Sequence, residues 1–128
     1  MSATTAVAIR EDVLRDPRYP VHKIADRLLP YLRVLVEQFH PQQVILFGSY
    51  AYGQPDEHSD VDLLVVKPIE QSRFKDALRV RKAWFPLLVE GPALDIQAVI
   101  ESPTRHQERL RSGDTYYQEI VGRGLRLC

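Results

Sequence analysis

A chain of 128 residues with 45% hydrophobic content is long enough to build one core and too short for two. Its 17 basic and 17 acidic residues cancel, which excludes the strong global field of a non-specific nucleic-acid or membrane-surface binder. The one cysteine, Cys128, excludes a disulfide framework within the chain and matches a reducing compartment.

The opening residues lack a basic start followed by an apolar run, and no apolar stretch approaches the ~20 residues of a membrane span. A cytoplasmic location is therefore expected. Residues 1–20, rich in Ser, Thr and Ala and then charged with Pro17 and Pro20, read as an N-terminal arm or a short helix. Residues 21–128 read as a single domain.

From Val21 to Phe39, Ile24, Leu28, Leu32, Leu35 and Phe39 recur at spacings of three and four. This is the stripe of an amphipathic helix packed on a sheet. Pro30 inside it is expected to kink or split the helix, and Pro41 to end it. Arg33 and His40 have the spacing of an arginine–histidine ribonuclease motif, a spacing that is common by chance.

Val44-Ile45-Leu46-Phe47 is a short apolar run ending at Gly48, as in a strand buried on both faces. Gly48 permits a sharp turn and the close approach of a ligand. Ser49 is a suitable N-cap for one helical turn over Tyr50-Ala51-Tyr52, which Gly53 and Pro55 would stop. Free N–H groups and a hydroxyl at such a turn can hold a phosphate.

After a gap of ten residues from Ser49, a second strand opens with Asp60-Val61-Asp62 and runs on through Leu63 to Val66. Side chains two apart on a strand share a face, so these carboxylates project together with α-carbons ~7 Å apart. Two such acids repel, and a cation between them relieves the repulsion. Oxygen-only donors favour Mg2+ or Mn2+ over zinc. Gly-Ser alone is a common turn, and Asp-x-Asp alone is commonly a solvated loop or a metal site of another family, such as a sugar-nucleotide transferase. It is the joint pattern that points to a nucleotide-phosphate site with metal.

Gly48-Ser49, the ten-residue gap, Asp60-Val61-Asp62, and the flanking Ala51, Gly53, Ser59 and Leu63 resemble the signature of minimal nucleotidyltransferases of the polymerase-beta-like superfamily. The resemblance spans about residues 43–100. At Tyr52 many members carry arginine. The resemblance implies an α/β (α+β) fold, a small mixed sheet flanked by helices. It also implies ATP as substrate, Mg2+ (or Mn2+) as cofactor, and a third carboxylate on a later strand.

Pro68 breaks the second strand, and a second helix follows from Glu70 to Leu88. Phe74, Ala77, Leu78, Trp84, Phe85 and Leu88 are expected on its apolar side, and Arg73, Lys75, Arg79, Arg81 and Lys82 on its solvated side. Past the Gly91-Pro92 turn, Leu94, Ile96, Ala98 and Ile100 alternate with Asp95, Gln97 and Val99, the pattern of a half-buried strand. Asp95 is the acid in that strand that answers the resemblance's third carboxylate. The other reading of Asp95 is a strand-edge acid facing water.

Ser102-Pro103 caps a helix to about Arg111. Asp114 precedes a short helix over Thr115 to Val121, and Leu125-Arg126-Leu127 is a candidate final strand. Tyr116 and Tyr117 are expected to pack. His22, His40, His58 and His106 have no metal-ligand spacing, and His58 falls beside the site.

By the resemblance, Asp60, Asp62 and Asp95 would be catalytic and metal-binding, and Gly48 and Ser49 would hold the nucleotide's phosphates. Stand-alone relatives are often antitoxins that move AMP from ATP onto a tyrosine of a HEPN-domain ribonuclease toxin. That partner and that role are expected here, without membrane or direct nucleic-acid contact. The alternatives are a small-molecule nucleotidyltransferase, such as one acting on an aminoglycoside with a separate subunit, and an antitoxin that acts by binding alone.

Overall fold

The computed structural model describes residues 7–128; the first part of the expected arm lies outside these described residues. The chain forms a four-stranded mixed sheet and six α-helices: α1 (Glu11–Leu14), α2 (Ala25–Val34), β1 (Gln43–Phe47), α3 (Ser49–Tyr52), β2 (Val61–Val66), α4 (Arg73–Glu90), β3 (Ile96–Glu101), α5 (Pro103–Arg111), α6 (Thr115–Arg123) and β4 (Leu125–Arg126). The expected small mixed sheet flanked by helices is the fold that forms. Among the described residues no helix is long and apolar enough to cross a membrane.

Strand order is β3-β2-β1-β4. β1 runs antiparallel to both β2 and β4, and β2 runs parallel to β3. Alternation then divides the side chains between two layers. Val44, Leu46, Val61, Leu63, Val65, Ile96 and Ile100 enter the larger core, with Leu28, Leu32, Val80 and Trp84 from α2 and α4. Ile45, Leu64 and Val66 face the other way and are covered by Tyr117 and Ile120 of α6.

Residues 7–20 lie on the domain. Leu14 is fully buried in the larger core, and Arg10 N–H donates to the Leu127 carbonyl at 2.7 Å. The helical stripe at 21–39 is present, divided otherwise than expected. A 3-10 turn (Pro20–Ile24) leads into α2, and a π-helical turn (Leu35–Phe39) follows it. Pro30 sits inside α2 without breaking it. His40 closes the segment with φ of 50°, a left-handed cap.

α4 departs further from expectation. Its buried face is Asp76, Val80 and Trp84, at spacings of four, while Phe74, Leu78 and Phe85 are exposed. Trp84 is the strongest anchor: its ring meets Tyr31 edge-on, and its Nε1–H donates to the Tyr31 carbonyl at 3.1 Å. Tyr116 also points to solvent, and Tyr117 alone of that pair packs.

Asp76 is buried because its charge is answered. Lys67 Nζ, itself buried, donates to Asp76 Oδ2 at 3.1 Å, and the Glu70 and Gln71 N–H groups donate at 2.8 and 3.1 Å. Burial alone would raise this carboxyl, but the three donors outweigh it and hold it below the usual carboxylate range. They tie the end of β2 to the first turn of α4. Asp76→Ala strands a buried ammonium and should cost about 3–5 kcal/mol, read from urea denaturation followed by circular dichroism. Because the folded carboxyl is the stronger acid, its contribution is full above its unfolded value near 4 and fades as pH falls through the folded one. The difference between parent and Asp76→Ala should therefore shrink in acid.

Candidate active site

The site forms at the edge where β1 ends and β2 and β3 begin. Antiparallel pairing of β1 with β2 sets Phe47 opposite Asp62, so the next residue, Gly48, turns directly beside that carboxylate. Gly48 has φ of 82° and ψ of −160°, a region essentially reserved for glycine. A Cβ built on it would lie 2.9 Å from Asp62 Oδ2. The position therefore demands glycine twice, for backbone conformation and for room.

Ser49 is not the helix cap that its side chain suits. Gly48 takes the cap position, and Ser49 is the first residue of α3, with no side-chain cap hydrogen bond. The Gly48 carbonyl accepts from the Ala51 and Tyr52 N–H groups, and Gly53 N–H closes the turn on the Ser49 carbonyl at 2.9 Å. Tyr50 and Ala51 are buried in the larger core and hold the turn down. Arg123 of α6 stacks its guanidinium 4.4 Å from the centre of the Tyr52 ring, placing a cation beside a position where sequence alone shows none.

Asp60 and Asp62 flank Val61, whose burial points the two acids away from the larger core. Asp60 is exposed one residue ahead of β2, so the strand opens between the acids instead of including both. Burial, with the charge of Asp60 nearby, raises the Asp62 carboxyl above its ordinary value. Burial is the larger of the two causes, and the like charge of Asp60 adds to it.

Parallel pairing sets Val61 beside Ile96 and Asp62 beside Gln97, and Val61 N–H donates to the Asp95 carbonyl at 2.7 Å. That register puts Asp95 beside Asp60, on the same sheet face. Ile96 and Ile100 are buried and Asp95, Gln97 and Val99 exposed, as the alternation predicts. Asp60 and Asp95 line one open pocket of about 710 Å3 with Arg27, Tyr50, Arg81 and Phe85.

Asp62 and Gly48 are not among the residues lining that pocket. Among the described residues no three His, Cys, Asp or Glu side chains are gathered as a metal cage. The structure thus brings Asp60 to Asp62 and Asp60 to Asp95 without closing all three on one point. The donor chemistry still fits a hard divalent cation at the Asp60–Asp62 pair: oxygen donors only, excess negative charge, and one carboxyl partly buried. His58 is exposed on the preceding loop beside Glu57.

A family model for the nucleotidyltransferase domain matches residues 27–119, well over half of the chain. The chain belongs to the nucleotidyltransferase domain family, whose members generally transfer a nucleotidyl group from a nucleoside triphosphate with a divalent metal. No match was found among curated proteins. The matched span contains the Gly48 turn, all three candidate acids, and the helices on both faces of the sheet.

Sequence reasoning missed Arg27 and Arg81 as pocket residues. Arg27 lies on α2, and Arg81 on α4 among basic residues that read as solvated from spacing alone. Gly113 offers a control for Gly48, because its φ is 80° but a Cβ there meets nothing within 4 Å. Gly113→Ala should show backbone strain alone, on the order of 1–3 kcal/mol. Gly48→Ala should show that strain and the collision with Asp62, giving a lower urea midpoint than Gly113→Ala.

Proposed function

We propose that the protein transfers AMP from ATP to an acceptor hydroxyl, and that the acceptor is a tyrosine of a HEPN-domain ribonuclease toxin. The protein would then be an antitoxin that silences its partner by adenylylation. The observation that carries the transferase reading is that Asp60 has Asp62 on one side, next to the Gly48 turn, and Asp95 on the other, beside it on the neighbouring strand. The resemblance of residues 43–100 to stand-alone minimal nucleotidyltransferases supports the acceptor.

In this reading the Gly48-Ser49 turn presents backbone N–H groups and the Ser49 hydroxyl to the β- and γ-phosphates. Asp60 and Asp62 would hold the nucleotide's Mg2+ (or Mn2+), with Asp95 contributing to a second ion. When bound, the ions neutralise triphosphate charge and steady both the entering and the leaving oxygen. The acceptor hydroxyl oxygen bonds to the α-phosphorus, the bond to the bridging oxygen breaks, and pyrophosphate departs. Asp95, exposed at the pocket wall, accepts the hydroxyl proton. Positioning and charge neutralisation supply most of the rate.

Asp60→Asn and Asp62→Asn should each lower transfer at least 100-fold. Neither change should lower the denaturation midpoint, because each removes one of two repelling charges. Parent-like turnover by either variant at equal magnesium would overturn the mechanism. The acceptor is tested by incubating the chain with labelled ATP, magnesium and the product of the neighbouring gene. Label on a tyrosine of that product, with loss of its toxicity, is expected. Toxicity lost equally with Asp62→Asn would instead mean inhibition by contact alone. The pocket would also admit a small hydroxylated molecule, so pyrophosphate release with aminoglycosides distinguishes a small-molecule transferase.

A further inference from the structure

The outward face of α4 is unlike an ordinary solvated helix. Phe74, Leu78, Phe85 and Val89 are 72, 43, 62 and 62% exposed. Phe74, Leu78, Arg81 and Phe85 recur at intervals of four, three and four, the seam of a helix that packs against another helix. Lys75, Arg79 and Lys82 form a second row beside it, at intervals of four and three. Arg79 pairs with Glu70, while Lys75, Arg81 and Lys82 have no ion-pair partner among the described residues. Leu78, Arg81, Lys82 and Phe85 line a shallow groove of about 360 Å3.

We propose that this face docks an amphipathic helix of a partner protein, one with an apolar seam and an acidic row to answer Lys75, Arg81 and Lys82. Exposed aromatic side chains in such a seam are the anchors that carry helix-in-groove affinity. The charge argues against a second copy of this chain as occupant, since two such faces would oppose their basic rows. The acids beside the face, and not its own basic row, argue against an anionic membrane. Arg81 and Phe85 continue into the wall of the 710 Å3 pocket, where Glu57, Asp60 and Asp95 would meet a charged bilayer with repulsion.

That continuity gives the surface its meaning. Arg81 and Phe85 belong both to the seam and to the pocket that holds Asp60 and Asp95. A helix seated on α4 therefore passes within reach of the candidate acids. The docked protein is the acceptor only if the transferase reading holds; docking itself does not require it.

The test is a selection, without nucleotide or metal, from a displayed library of heptad-patterned helices. Their flanking positions are drawn equally from Glu, Lys and Gln. The full chain is the bait, and Leu78→Asp and Phe85→Asp are the controls. Both residues are exposed, so both variants should retain the parent circular dichroism spectrum. Enrichment of Glu-rich helices is expected, with the synthesised winner binding each variant at least ten-fold more weakly than the parent.

Enrichment no better than on Phe85→Asp, a preference for Lys, or equal binding to parent and variants would overturn the proposal. So would self-association of the parent that Phe85→Asp abolishes, or parent binding to phosphatidylglycerol vesicles that Phe85→Asp abolishes. Transfer is measured separately on Asp62→Asn. Docking that survives in that variant while transfer is lost separates the two claims.

Discussion

The site depends on the pairing of β2 with two neighbours in opposite senses. The antiparallel partner delivers the end of β1 to the start of β2, and the parallel partner delivers the start of β3 to the same edge. Gly48 comes beside Asp62, and Asp60 beside Asp95, because of those two registers. A one-residue slip in either would send the acids into the larger core and move Val61, Leu63 and Val65 out of it to the opposite face. The apolar residues that alternate with the acids forbid that slip: Val61, Leu63 and Val65 are buried on one side, and Leu64 and Val66 on the other. The hydrophobic pattern thus protects a cluster of charge that would not assemble by itself.

The two sides of the sheet are stabilised differently. The side against α2 and α4 is mostly hydrocarbon, closed by Trp84 and Tyr31. The side against α5 and α6 is thinner and relies on polar groups placed under cover. His106 meets the Tyr117 hydroxyl at 2.5 Å and lies 3.3 Å from the Gln43 amide nitrogen; burial keeps the imidazole below its ordinary value. Glu101, fully buried, receives Arg73 and Arg109, and Arg109 reaches on to Asp114. Among the described residues no buried side-chain nitrogen or oxygen is left without a partner. Such networks cost little when complete and much when one member is lost.

Much of this was readable in the sequence, and for local reasons. Ser102 and Asp114 cap the helices that follow them by accepting from Arg105 and Tyr117 N–H groups, as small polar residues before helices do. The β3 alternation and the Gly48 turn follow from side-chain period and from the absence of a Cβ. The errors arose where tertiary context overrode local preference. Ser49 lost the cap position to Gly48 because the backbone there adopts a glycine-only geometry. Hydrophobicity alone places Phe74, Leu78 and Phe85 inward, but Lys67 and two N–H groups satisfy Asp76 and turn a different face of α4 to the sheet. The meeting of Asp60 with Asp95 needs strand order, which no local pattern contains.

The chain has one tryptophan, Trp84, and it lies 1% exposed on the inner side of α4, against Tyr31. Its fluorescence is therefore a private channel on whether that helix stays seated. Anything that binds the outer surface should leave the emission maximum where it is. Any event that peels the helix from the sheet should move the emission to the red as the indole meets water. One optical reading thus separates occupation of the helix from its detachment.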